Sequence, residues 1–230
     1  MTQLTGQERA TYVQNMFTRI ARRYDFMNRL MTGGQDMRWR KHVIALANLK
    51  PGAHLLDIGA GTGDLSREAM RQQPDVKVAS ADFTLEMMRV GQKYGTLPYS
   101  AADALRLPFQ DNTFDAVVSG FLMRNVTNLN KAVQEQYRVL KPHGRVVILD
   151  TTRPKRNLLS PFIWLHMHVV IPLLGRLLSG TGDAYEYLPD STENFVTAEK
   201  LASLLAAAGF HKIGYERLMF GTIAIHWAEK

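Results

Sequence analysis

HLLDIGAGTGDLS, residues 54 to 66, runs from an apolar stretch through an aspartate and three alternate glycines into a helix-like segment. A strand that ends in such a turn and passes straight into a helix offers its backbone to a ligand, the arrangement that holds nucleotide-type cofactors. The spacing narrows the choice. The glycines are Gly59, Gly61 and Gly63, Asp64 stands where a dinucleotide fingerprint G-x-G-x-x-G has its third glycine, and no Lys-Ser or Lys-Thr follows to make a phosphate loop. The loop is built for something other than a pyrophosphate.

Outward from this stretch, apolar runs and helix-like segments alternate. HLLDIG, VKVASAD, FDAVVSG and GRVVILD read as strands, with a short one near PYSAAD; DLSREAMRQQ, TLEMMRVGQKY and NLNKAVQEQYRVL read as helices between them. Strands and helices alternating at this length imply a parallel sheet covered on both faces. After a further helix, TAEKLASLLAAAG, the chain finishes with HKIGYERLM and GTIAIHWAEK, too close together for a helical crossover, so they are expected to pair as a C-terminal antiparallel hairpin. The fold class is α/β, a Rossmann-like doubly wound sheet, mostly parallel. Ahead of it, residues 4 to 32 and 35 to 48 read as N-terminal helices, with Tyr12, Met16, Ile20 and Tyr24 on one face and Gly33-Gly34 breaking between them.

A chain of 230 residues with 46% hydrophobic content suits one core with appended helices, not two equal domains. Without cysteine there is no disulfide, thiolate nucleophile or cysteine-held metal, and a reducing compartment is permitted. The polar opening MTQLTGQERA has no apolar signal core, so a cytoplasmic protein is expected. The net charge of +7 is unevenly placed: residues 1–50 carry +6 and residues 151–182 carry +4, which leaves −3 for the remainder. Neither basic stretch interleaves aromatics as RNA-binding motifs do, so an anionic membrane surface or an acidic substrate fits at least as well as nucleic acid, and no nucleic-acid partner is expected. No metal is expected either, since His166 and His168 face different sides of a helix and H-E-x-x-H is absent.

A doubly wound sheet binds its ligand beyond the carboxyl ends of the strands. Asp82 closes the second strand, about twenty residues after the loop, where a carboxylate accepts both hydrogen bonds of a ribose diol. Asp103 closes the third, where an adenine edge would lie. Three acids at successive strand ends, Asp57, Asp82 and Asp103, suit a ligand with a positive charge and no phosphate, and S-adenosylmethionine is that ligand. Each aspartate alone would serve as well for a helix cap or a turn. Together with their neighbours they give the expected cofactor-binding set Asp57, Gly59, Gly61, Thr62, Gly63, Asp82, Phe83, Asp103, Ala104 and Gly120.

YDFMNRLMTGGQDMRW, residues 24 to 39, and RVLKPHGRVVILD, residues 138 to 150, resemble the two signatures of the S-adenosylmethionine-dependent C-methyltransferases of menaquinone and ubiquinone biosynthesis, in the class I methyltransferase fold. MRNVTNLNKAV and FGTIAIHWAEK match in character and place, so the resemblance runs nearly the whole chain. It implies a methyltransferase domain over residues 51–230, with a helical insertion at about 155–195, behind an N-terminal helical lid over residues 1–50. The family usually has serine at Thr32, histidine at Asp36, glycine at Leu122, glycine at His143 and glutamate at Asp150. These departures border the acceptor pocket and leave the cofactor positions intact.

By this resemblance the acceptor is a polyprenylated quinol methylated on a ring carbon, a demethylmenaquinol first and the matching ubiquinone-pathway benzoquinol second. A ring carbon is a poor nucleophile until the neighbouring hydroxyl loses its proton, so a base or a positive stabiliser is needed near the phenol. Arg124, in the loop after the fourth strand, is the leading catalytic candidate, with Asn125 to orient it or the substrate. Tyr24, Asp25 and Asn28 lie on the lid, Asp25 as a base if burial raises its pKa. The plainer uses of these residues are an Arg124 ion pair with a surface acid, a helix start at Asn125 and an apolar stripe ending at Tyr24.

PFIWLHMHVVIPLLGRLL, residues 161 to 178, is interrupted by prolines, histidines and Arg176, which disfavours a spanning helix. With basic flanks it suits a surface-lying segment that admits a prenyl tail from the bilayer interface, or equally a buried insertion. Tyr185 and Tyr187 follow and are candidates to cover the acceptor. The expected partners are a lipophilic quinol and, peripherally, the inner membrane face; the reading allows a homodimer. Two other readings stay open: a class I methyltransferase for another small molecule, and a non-catalytic membrane- or nucleic-acid-associated protein on the same fold.

Overall fold

In the computed structural model, which describes residues 5–153, 160–170, 173 and 182–230, Leu55 and Leu56 leave strand β1 (His54–Ile58) on opposite sides, and both are fully buried. Successive side chains of a strand point to opposite faces, so such a run needs cover above and below the sheet. The same holds for Val117 and Val118 in β4 (Phe114–Gly120) and for Val146 to Leu149 in β5 (Leu140–Thr151). On one face Leu56, Val117, Val146 and Ile148 share a core with Val133 of α6 (Leu129–Val139) and with Leu201 and Leu205 of α9 (Ala198–Ala207). On the other, Leu55, Val118, Val147 and Leu149 join Val43 and Ile44 of α3 (Gln35–Ala47) and Leu65 and Ala69 of α4 (Asp64–Gln72).

The seven strands lie in the order β3-β2-β1-β4-β5-β7-β6, with β2 (Lys77–Asp82) and β3 (Tyr99–Ala101) at one side. Strands β1 to β5 pair in parallel, whereas β7 (Ile223–Glu229) runs antiparallel to β5 and to β6 (His211–Leu218). This is the mostly parallel, doubly wound sheet with a terminal antiparallel hairpin that the sequence predicts. Strand order reverses between β1 and β4, so a crevice opens beyond their carboxyl ends. The β1 loop, the start of α5 (Leu85–Gly91) after β2, and the turn after β4 all border it.

The helix expected over residues 4 to 32 is two: α1 (Gly6–Ile20) and α2 (Tyr24–Met31), separated at residues 21–23 by a turn in which Arg23 N–H donates to Ile20 O (2.9 Å). In an unbroken helix Met16 and Met27 would stand about 16 Å apart along the axis. The turn folds α2 back, and Met16, Ile20, Met27 and Met31 close into one buried cluster. Of the insertion, α7 (Ser160–Leu165), a π-helical turn at His166–Val170 and α8 (Gly182–Glu193) are described. Lys155, Arg156, Pro172, Arg176 and the side chain of Tyr185 lie outside the described residues. Among the described residues no helix is long and apolar enough to cross a membrane.

Leu149 has no exposed surface and sits on central strand β5. Leu149→Ala is expected to lower the unfolding free energy by about 2–5 kcal/mol, as lost transfer energy plus a cavity, measured by urea titration.

Candidate functional site

The loop after β1 is held open by carboxylates. Asp82, at the end of β2, accepts the Gly61 N–H (2.7 Å) on one oxygen and the Thr84 N–H (2.7 Å) on the other. It is buried at the cleft wall, and burial pushes its carboxyl above the usual range against those two hydrogen bonds. Asp57, at the end of β1, lies beneath the loop and has no exposed surface. One of its oxygens accepts from the Ser66 N–H (3.1 Å) and hydroxyl (2.7 Å), and the other has no hydrogen-bond partner. Ser66 is in the first turn of α4, so Asp57 caps that helix from outside and places negative charge at its positive end. It does not line the cleft.

Gly59 and Gly63 both adopt left-handed backbone conformations, with φ of +65° and +90°. A Cβ on Gly59 would come within 2.9 Å of the Leu122 side chain, and one on Gly63 would overlap Leu97 and Tyr99. The loop is therefore pressed between the turn after β4 and the start of β3, and glycine is required on both steric and torsional grounds.

A cleft open to solvent lies over this loop. Gly59, Gly61, Thr62, Asp82, Phe83, Ala104 and Gly120 line it, as do Tyr24, Leu122 and Asn125. Gly63, Asp103, Asp25 and Arg124 are not among the lining residues. Asp103 is exposed and accepts the Leu105 N–H (2.8 Å), a local Asx turn that presents Ala104 to the cleft. Val13 and Phe17 of α1 complete the wall, and three bonds fasten the N-terminal helices to it. Arg9 donates to Arg124 O (2.8 Å), Gln14 to Phe83 O (2.9 Å), and the Thr62 hydroxyl to Asp25 (2.8 Å). Burial, and then the neighbouring Asp64, raise the Asp25 carboxyl above the ordinary range. Burial likewise raises the Tyr24 phenol, with Arg124 and Arg40 pulling it back.

Arg124 pairs with a buried acid, not with a surface one. Its Nη1 donates to Asp150 at 2.8 Å and its backbone N–H to the same carboxylate at 3.2 Å, while its guanidinium lies 5.1 Å from the centre of the Phe121 ring. Asp150 is 1% exposed and is the next-to-last residue of β5. Asn125 donates to Phe121 O (2.9 Å) and accepts from the Tyr187 hydroxyl of α8 (3.2 Å), which brings Tyr187 to the site. Two charged residues lie outside the catalytic and cofactor-binding sets expected from the sequence. Asp150 carries the signal that marked Asp57 and Asp82, an acid closing an apolar strand run. Arg40 of α3 lines the cleft between Asp36 and Asp64, each 3.5 Å from its Nε, and no local motif announces it.

The model of the ubiE/COQ5 methyltransferase family matches residues 3–230. A relative from Desulfotalea psychrophila, named ubiquinone/menaquinone biosynthesis C-methyltransferase UbiE, is 44% identical over 221 residues, covering 95% of this chain and 90% of its own. The demethylmenaquinone methyltransferase of Thermus thermophilus is 40% identical over 220 residues, covering 94% of this chain and all of its own. Among solved structures, the [4+2]-cyclase SpnF superposes with a TM-score of 0.69 at 18% identity, covering 98% of this chain and 96% of its own. A SAM-dependent methyltransferase from Aquifex aeolicus gives 0.59 at 19%, covering 83% and 88%. At that identity these structures bear on the fold alone.

Burial lifts the Asp57 carboxyl to about 6, so between the unfolded value near 3.9 and that pH the folded state holds the extra proton. Stability due to Asp57 therefore falls as pH rises through this window, by up to about 3 kcal/mol. Asp57→Asn is expected to gain on the parent protein from pH 4 to pH 7 by an amount of that order, read as the difference of their urea-unfolding free energies at each pH.

Proposed function

The chain belongs to the ubiE/COQ5 methyltransferase family and is an S-adenosylmethionine-dependent C-methyltransferase; from that footing we propose that its acceptor is a polyprenylated quinol, most closely a demethylmenaquinol, methylated on a ring carbon. The observation that carries the acceptor reading is the buried Arg124–Asp150 pair, set beside Tyr24 and Asn125 next to the cofactor loop. The residues of the cleft fit the cofactor: a glycine turn that a Cβ would obstruct, a buried carboxylate at a strand end and, among the described residues, no lysine in the lining.

In this reading Asp82 accepts from the ribose hydroxyls with the lone pairs left free by Gly61 and Thr84, and Ala104 and Phe83 flank the base. Gly59, Gly61 and Thr62 let the backbone approach the remainder. Bound there, S-adenosylmethionine supplies a methyl group already activated on a sulfonium. The protein's task is to make the ring carbon nucleophilic and to align it. Arg124 serves as a fixed cation and not as a base; oriented by Asp150, it would stabilise the negative charge that develops on the ring oxygen. Asn125, oriented by Tyr187, positions the ring. Asp25, made more basic by burial, is the lid's proton acceptor.

The exposed side chains of Trp164, Leu165, Val169, Val170 and Leu173, on a chain of net charge +7, support delivery of the prenyl tail from the cytoplasmic membrane face. One observation favours a different small-molecule acceptor: Leu122 fills space against Gly59 at the cleft. Labelled S-adenosylmethionine offered with reduced short-chain demethylmenaquinone and, in parallel, with the demethylated benzoquinol separates these. Label in the naphthoquinol is the expected result, and label in neither, with the cofactor bound, would remove the quinol reading.

Asp82→Ala is expected to weaken S-adenosylhomocysteine binding by tenfold or more. Arg124→Gln should leave that binding within about threefold and lower turnover by about 10²–10³. Calorimetric titration and single-turnover rates distinguish the two.

A further inference from the structure

Arg40 is the one Lys or Arg among the described residues that line the cleft, and it is 7% exposed. Its Nε has no hydrogen bond: Asp36 and Asp64 both stand at 3.5 Å, close enough to stabilise the charge and too far for a well-formed bond. Among the described residues no acceptor meets its terminal nitrogens. Of the five N–H donors of its guanidinium, the one on Nε is buried without a bond, whereas the terminal nitrogens are not closed off in that way. Neighbouring arginines differ. Arg67 donates to Thr62 O and to Asp64, and Arg124 donates to Asp150. Arg40 is held in position by two carboxylates, with its planar fork left for a planar anion.

The place of that anion in the ligand follows from the cleft. With ribose held at Asp82 and base at Ala104, the rest of the cofactor would lie along Gly59 to Thr62, in the part of the cleft that Tyr24 and Arg40 also line. The only anionic group of S-adenosylmethionine is the carboxylate at that end. We infer that Arg40 anchors the cofactor's methionine carboxylate and so sets the depth at which the methyl group faces the acceptor. Arg40 and Arg124 then flank Tyr24, one for each reactant. The inference rests on S-adenosylmethionine being the cofactor.

The test is calorimetric titration with S-adenosylhomocysteine and with its decarboxylated counterpart, S-adenosyl-3-thiopropylamine. The parent protein should prefer the carboxylated ligand by about thirtyfold or more, and Arg40→Gln should erase that preference while changing affinity for the decarboxylated ligand by less than about threefold. Equal loss toward both ligands in Arg40→Gln, or no preference in the parent, would overturn the inference. Arg40→Lys keeps the charge beside Asp36 and Asp64 and decides the matter where Arg40→Gln does not fold: it should lose about tenfold toward the carboxylated ligand alone, and equal loss toward both again overturns it. Failure of the parent protein to bind either ligand would instead reject the cofactor, and Arg40's role with it.

Discussion

The carboxylate of Asp82 accepts the backbone N–H groups of Gly61 and Thr84, and through those two bonds the loop after β1 and the turn after β2 become one rigid rim. Everything at the site is referred to that rim. Gly59 is pressed against Leu122 from the β4 side, Tyr99 donates to Gly61 O from the β3 side, and Asp57 caps α4 from below. An acid in this position satisfies buried backbone donors that the tight turn would otherwise strand, and leaves lone pairs facing outward. The same residue holds the fold and lines the cleft.

The sheet was legible because its signals are local. Alternating burial in LLDI, AVVS and VVIL, with helix-length segments between, dictates a covered parallel sheet, and the short spacing before GTIAIHWAEK dictates the hairpin. The glycine loop and Asp82 were legible for the same reason. What escaped depends on residues far apart in the chain. Arg124 meets Asp150 across 26 positions, and Tyr187 reaches Asn125 across 62. Asp57 looked like Asp82 in sequence, yet it sits beneath the loop, because the helix start after a strand needs a buried acceptor of its own. The break at residues 21–23 is equally non-local: its reason is the methionine cluster that α2 completes by turning back.

Buried ions are poor stabilisers when compared with apolar side chains of equal volume. Among the described residues two buried arginines nevertheless have carboxylate partners, Arg124 with Asp150 and Arg40 between Asp36 and Asp64, both around Tyr24. Both stand at or beside the cleft, and each is oriented by a carboxylate of its own: Asp150 for Arg124, Asp36 and Asp64 for Arg40.

The clasp of α1 and α2 joins two events that a static description separates. Arg9, Gln14 and Asp25 end on Arg124 O, Phe83 O and Thr62, all on the rim or the turn beside it. Whatever orders that rim tightens the helices, and whatever loosens the helices disorders the rim, by the same free energy in either direction. A ligand that bound the cleft more tightly with the helices docked would, by that reciprocity, hold them docked by the same factor.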